Sequence, residues 1–184
     1  IKNTSGGVSW ANDNKTIFYN KKNINTLRTE KVMRHSFGDE SKDEEVYFEK
    51  DEEFNLYSYK SKSEKYIIIV SGKTISDEIR FLDANKPNGD FKIFQERIDG
   101  LEYSVDHLDD KWYVRTNLND SKNFKVMMCE ENKTSSENWK DFIKHRENVL
   151  LEGVEVFTDF FVITERENGQ RRFNVISKKD GKSH

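Results

Sequence analysis

The sequence predicts an all-β chain: a partial β-propeller of about four four-stranded antiparallel blades. Three observations carry this. Tyr66–Val70 is an unbroken, mostly β-branched apolar run, too short for a buried helix and typical of a strand covered on both faces. A second strand with a basic residue in or beside an apolar alternation recurs around Met33, Arg80, Val126 and Phe173, at steps of 47, 46 and 47 residues. A preceding strand recurs with it, as TIFYN (16–20), YIIIV (66–70), KWYVR (111–115) and FFVIT (160–164), each after a polar break. A period of this size filled with β-patterned segments fits propeller blades. β-Helices and leucine-rich repeats have shorter periods, and helical repeats have a different periodicity.

The first blade is expected from Val8–Trp10, Thr16–Asn20, Lys31–Ser36 and Glu45–Glu49. Between Asp39 and Glu53, nine of fifteen residues are Asp or Glu, which interrupt the strand Val46-Tyr47-Phe48. Such a run reads as a solvated loop and a strand edge kept from pairing by charge; the sharper alternative is an acidic rim that attracts cationic peptides. The second blade takes Phe54–Tyr59, Tyr66–Val70, Glu78–Leu82 and Phe91–Gln95, with the chain turning at Ser71-Gly72-Lys73. Its last two strands are joined across Lys86-Pro87-Asn88-Gly89-Asp90, where proline presets φ and glycine admits positive φ.

Leu101–His107, Lys111–Arg115, Phe124–Met128 and a strand near Trp139–Ile143 make the third blade, with Ser135 or Ser136 able to cap a short helical turn before Trp139. The fourth has Gly153–Phe157, Phe160–Thr164 and Arg171–Ile176, the last two joined by Asn168-Gly169, a strong hairpin signal. Only the polar tail 177–184 follows, so this blade is expected to be incomplete. One domain, 1–184, is expected, with blades at about 8–50, 54–98, 101–144 and 153–177. Because the chain opens on Ile1 without methionine and stops soon after a strand, it is expected to be a piece of a longer polypeptide.

Composition bounds the function. With 35% charged and 34% hydrophobic residues the chain is polar, but its 12% aromatics fall mostly inside the strand runs, as in a folded sheet protein. A net charge of −3 argues against a nucleic-acid surface, and no window is long and apolar enough to suggest a membrane-spanning helix. Cys129 is the single cysteine, which precludes an intrachain disulfide and is compatible with a cytoplasmic setting.

No constellation of catalytic, cofactor-binding or metal-binding residues emerges, and none is assigned. His35, His107, His145 and His184 lack metal-motif spacing. Asp106-His107 with Asp109-Asp110 superficially suggests an acid/base pair, but it falls where the repeat places a turn. Ser9 enters a strand and Cys129 ends an apolar alternation, so both read as structural; no Gly-x-Ser-x-Gly occurs.

Taken together and in order, VSWANDNKTIFYN (8–20), LRTEKVMRHSFG (27–38), SEKYIIIVSGKTISDEIRFLDA (63–84), EYSVDHLDDKWYVRTN (102–117), SKNFKVM (121–127) and HRENVLLEGVEVF (145–157) resemble the amino-terminal propeller of the oligopeptidase B (protease II) type, within the prolyl oligopeptidase family of serine peptidases. One departure is Lys144, where that family usually has proline; a looser outer strand is expected there. The resemblance implies a cytoplasmic endopeptidase that cuts short peptides after Lys or Arg, with a seven-bladed propeller covering a C-terminal α/β-hydrolase domain that carries a Ser-Asp-His triad. It implies no residue of that triad in this chain, which alone is expected to be inactive and to self-associate through its open terminal blade faces.

Two alternatives remain. A noncatalytic propeller scaffold would present loops to a protein partner. A β-sandwich would bind carbohydrate through Trp10, Trp112 or Trp139, against the plainer reading of these rings as blade core.

Overall fold

A computed structural model describes residues 2–38 and 43–183. Its strands are β1 (Thr4–Trp10), β2 (Thr16–Lys22), β3 (Thr29–Ser36), β4 (Glu44–Phe48), β5 (Asn55–Lys60), β6 (Tyr66–Lys73), β7 (Ser76–Asp83), β8 (Lys92–Gln95), β9 (Tyr103–Leu108), β10 (Lys111–Thr116), β11 (Lys125–Glu130), β12 (Lys140–Ile143), β13 (Val149–Val156), β14 (Phe160–Glu167) and β15 (Gln170–Ser177). They form four antiparallel meanders in chain order, β1–β4, β5–β8, β9–β12 and β13–β15. These are the four expected blades, and the fourth has three strands among the described residues. Its outer edge receives an isolated antiparallel bridge from Ser183 to Ile176.

The chain divides into two compact units, Ile1–Asp99 with sheets 1 and 2 and Gly100–His184 with sheets 3 and 4. Within each, one packing rule holds. The third residue of the second strand, Phe18 in TIFYN and Tyr113 in KWYVR, joins a core with the second and fourth residues of the next sheet's second strand, Ile67 and Ile69 or Phe161 and Ile163. Period-2 alternation produces the rule, because successive side chains leave opposite faces of a strand. Every residue of Tyr66–Val70 is buried, so both faces of that strand are covered.

The first two polar breaks close their turns by side chain-to-backbone bonds. Asp13 Oδ1 accepts from the N–H groups of Lys15 (2.9 Å) and Thr16 (2.8 Å), and Ser61 Oγ accepts from the Tyr66 N–H (3.0 Å). Asp109-Asp110 (φ 52° and 56°) and Asn168-Gly169 (φ 50° and 79°) are two-residue hairpin turns, the geometry in which both central residues need positive φ.

Two turn expectations need correction. Ser71-Gly72-Lys73 continues β6, pairing with Glu78, Asp77 and Ser76, and the chain reverses at Thr74-Ile75. At Gly89 the requirement is space: φ is not positive, and a Cβ there would sit 3.3 Å from both Leu82 Cδ1 and the Lys86 carbonyl. A short 3-10 turn at Ser136–Asn138 follows Ser135, which makes no side-chain cap bond, and the outer strand starts at Lys140. That strand ends at Ile143, before Lys144.

Candidate functional site

The acid-rich stretch forms the edge strand β4 and an exposed linker at 50–53, as a solvated charged edge should, but its acids do not interrupt the strand and one of them is buried. Asp39 and Glu40 lie outside the described residues. Glu44 and Glu45 open β4 and do not interrupt it, each on a cation of β3: Glu44 on Arg34, and Glu45 on Lys31 at 2.7 Å. Asp43 accepts a short hydrogen bond from the Tyr19 hydroxyl and lies 2.8 Å from His35 Nδ1. The Tyr19 bond, with His35 behind it, holds the Asp43 carboxyl below its usual range, while burial and Asp43 itself push the Tyr19 phenol up.

Glu49 is the centre of the cluster and is only 5% exposed. Its Oε2 accepts from Ser71 Oγ (2.5 Å), Arg97 Nη2 (2.6 Å) and the Tyr47 hydroxyl (3.0 Å), and its Oε1 accepts from the Asp51 N–H (2.9 Å). Burial pushes this carboxyl up, but the four donors outweigh it and leave the pKa below the ordinary value. Arg97 stacks over the Phe54 ring at 3.7 Å, and Arg80, bonded to Glu78 at 2.7 Å, lies over Tyr47 at 4.6 Å. These residues tie the end of sheet 1 to sheet 2. Arg34 adds a bond to the Pro87 carbonyl (2.6 Å), and Arg28 reaches the carbonyls of Glu49 (3.2 Å), Asp51 (3.2 Å) and Phe54 (2.9 Å).

The histidines are dispersed among carboxylates and amides. His107 is buried in β9, not in a turn, with Nε2 3.0 Å from Glu131 Oε1 and its ring edge-on to Trp112. His145 Nε2 accepts from the Asn123 N–H (3.3 Å). His184 lies outside the described residues. Asp109-Asp110 is the turn that the repeat predicts, and Asp109 receives Lys178 at 2.9 Å. Ser9 and Cys129 are buried, and burial pushes the Cys129 thiol up to about 12, far from the thiolate range. Among the described residues no group of three His, Cys, Asp or Glu converges on a metal-sized position. Trp112 and Trp139 are buried as blade core, whereas Trp10 is 45% exposed and stacks on Phe37 at 5.4 Å.

Sequence reasoning missed Arg97 and the burial of Glu49. One signal was available: Glu49 continues the alternation of Tyr47, which places it on an inward face despite its charge.

Four antiparallel meanders in chain order, with the same packing step repeated within each unit, define the class: a segment of a β-propeller. The family model for the prolyl oligopeptidase N-terminal β-propeller domain matches residues 1–184, and the chain belongs to that family. It is 37% identical over its whole length to dipeptidyl aminopeptidase BI of Pseudoxanthomonas mexicana, covering 25% of that protein. Over 93% of its length it is 31% identical to protease 2 of Moraxella lacunata, of which it covers 24%. Oligopeptidase B of Leishmania major superposes with a TM-score of 0.88 at 27% identity, over 97% of this chain and 25% of that one. The chain therefore spans about a quarter of the length of the curated relatives it matches.

Proposed function

We propose that the chain is the substrate-gating propeller portion of a longer cytoplasmic serine oligopeptidase of the oligopeptidase B type. In the complete polypeptide, a C-terminal α/β-hydrolase domain carries out acyl transfer on short peptides after Lys or Arg, and the propeller limits which peptides arrive. The observation that carries this reading is the likeness to oligopeptidase B along nearly the whole chain, with a TM-score of 0.88 at 27% identity. A physical argument supports the gating role. Sheets packed face to face make a rigid wall, and a ring of them passes an extended peptide while excluding a folded domain.

A second reading has its own support, since identity to a dipeptidyl aminopeptidase reaches 37% over all 184 residues. In that case the complete enzyme removes dipeptides from a free amino terminus. Two reporters separate the readings: an Arg reporter with a blocked amino terminus and a dipeptidyl reporter with a free one. We expect the complete polypeptide to cleave the blocked reporter and the isolated 184-residue chain to cleave neither. Cleavage of the free-terminus reporter alone would favour the second reading, and cleavage of neither by the complete polypeptide would favour a noncatalytic scaffold.

Self-association of the isolated chain belongs to the same proposal. Exposed Val8, Trp10 and Phe37 on sheet 1, and Phe160 and Phe173 on sheet 4, support it. Light scattering should give a mass above 21.8 kDa that rises with concentration; a strict monomer at millimolar concentration would count against it.

A further inference from the structure

In the second unit, a cavity of about 270 Å³ opens at the rim where β10 begins and β11 ends. Strand register builds it. Lys111 of β10 pairs with Glu130 of β11, and Lys140 of β12 pairs with Met128, two residues before Glu130. Cross-strand partners and i, i+2 neighbours share a face of a sheet, so these four side chains stand on one face, with the two lysines on the strands that flank β11. From the connection between β11 and β12, Lys133, Glu137 and Asn138 also line the cavity.

Three lysines here face two carboxylates, in a chain whose net charge is −3. Both carboxylates already hold donors: Glu130 is paired with Lys133 at 3.5 Å, and Glu137 accepts from Ser135 Oγ at 3.2 Å. Lys111 and Lys140 form no ion pair among the described residues. Cys129, which lines the cavity with Met128, is kept a neutral thiol by burial and adds no negative charge. Met128 packs in part on the core shared with sheet 4, so an apolar strip lies between the two unpaired lysines.

We infer that this cavity binds a small dicarboxylate, with one carboxylate on Lys111, the other on Lys140 and the aliphatic body over Met128. The spacing selects two charges over one. β10 and β12 are separated by two strand spacings, about 10 Å, so the two ammonium groups reach a single point anion only by bending both side chains inward against their mutual repulsion. A ligand charged at each end meets both without that penalty. Size agrees with a small molecule, because the cavity falls just below the roughly 300–1,000 Å³ that drug-sized ligands fill. The inference does not depend on the peptidase reading.

Acylation of amines in the complete polypeptide, read lysine by lysine by mass spectrometry at constant ionic strength, tests this. Succinate should slow acylation of Lys111 and Lys140 in a saturable way and leave Lys122, whose side chain is 82% exposed at the other end of the sheet, unchanged. Lys111→Gln should raise the Kd for succinate read at Lys140 by about 3-fold, the effect of losing one exposed ion pair, and Lys140→Gln should do the same to the Kd read at Lys111. Lys122→Gln should alter neither. Both cavity lysines are exposed, so the variants should melt with the wild type. Protection of all three lysines alike would mean screening only and would overturn the inference. So would protection by butyrate or inorganic phosphate at the same concentration as succinate, no protection at all, or a Kd at Lys140 that ignores Lys111→Gln.

Discussion

The two units solve the same packing problem with different chemistry. Sheet 1 meets sheet 2 through an apolar core capped by buried ions, with Glu49 held by Ser71, Arg97 and Tyr47. Sheet 3 meets sheet 4 mainly through rings: Tyr113, Phe142 and Phe161 lie 4.8–5.6 Å apart by centroid, and the Arg115 guanidinium caps the Leu151 carbonyl at 2.8 Å over the Phe124 ring. The repeat therefore specifies where neighbouring sheets touch, not what touches. A junction built mainly of rings, with the solvent-exposed Lys178–Asp109 pair at its edge, should respond to pH and salt less than one built on a buried carboxylate.

That contrast can be broken at its largest element first. Phe161→Ala removes the ring shared by both partners in the second unit and should cost about 4 kcal/mol there, read by denaturant unfolding through Trp112 and Trp139 fluorescence. Exchange in sheets 1 and 2 should be unchanged. Glu49→Ala should cost the first unit about 3 kcal/mol, because Arg97 and Ser71 keep their burial and lose their acceptor. Unfolding of the second unit should not move.

Acid sharpens the comparison. The folded pKa of Glu49 lies below its ordinary value of 4.5, so its contribution is fully present above about pH 4.5 and is lost as pH falls through the depressed folded value. Asp43 has the same sign. Exchange measured at stepwise lower pH should show the first unit opening before the second. In the second unit the depressed carboxyl of Glu152, held down by Arg171 and Arg166, lies at the surface, where salt screens it. The smallest effect is expected at the β14–β15 turn. Gly169→Ala imposes φ near +79° on alanine and should cost about 1 kcal/mol, measured as a small shift in the second unit's unfolding midpoint.

Much of the fold was legible because strands in a meander alternate, and the alternation survives in sequence. TIFYN, YIIIV, KWYVR and FFVIT each became the start of a second strand, and Asn168-Gly169 became the hairpin its dipeptide advertises. Legibility failed where backbone geometry, not side-chain pattern, decides. Ser71-Gly72-Lys73 carries turn residues but keeps its ladder, while Thr74-Ile75 turns without glycine or asparagine. The site was harder to read than the fold. Glu49 looks like one acid among nine, and its burial depends on Arg97, 48 residues further on, a pairing that no local pattern announces.

Size selection is the most direct test of the central claim, that these sheets guard chemistry performed by another part of the polypeptide. The complete enzyme should be given one Arg-containing segment in two forms, as a free peptide and as a loop held within a small folded domain. The account predicts efficient cleavage of the free peptide and a loss of at least about 100-fold in kcat/KM for the folded form, restored when that domain is unfolded. Equal cleavage of both forms would contradict it.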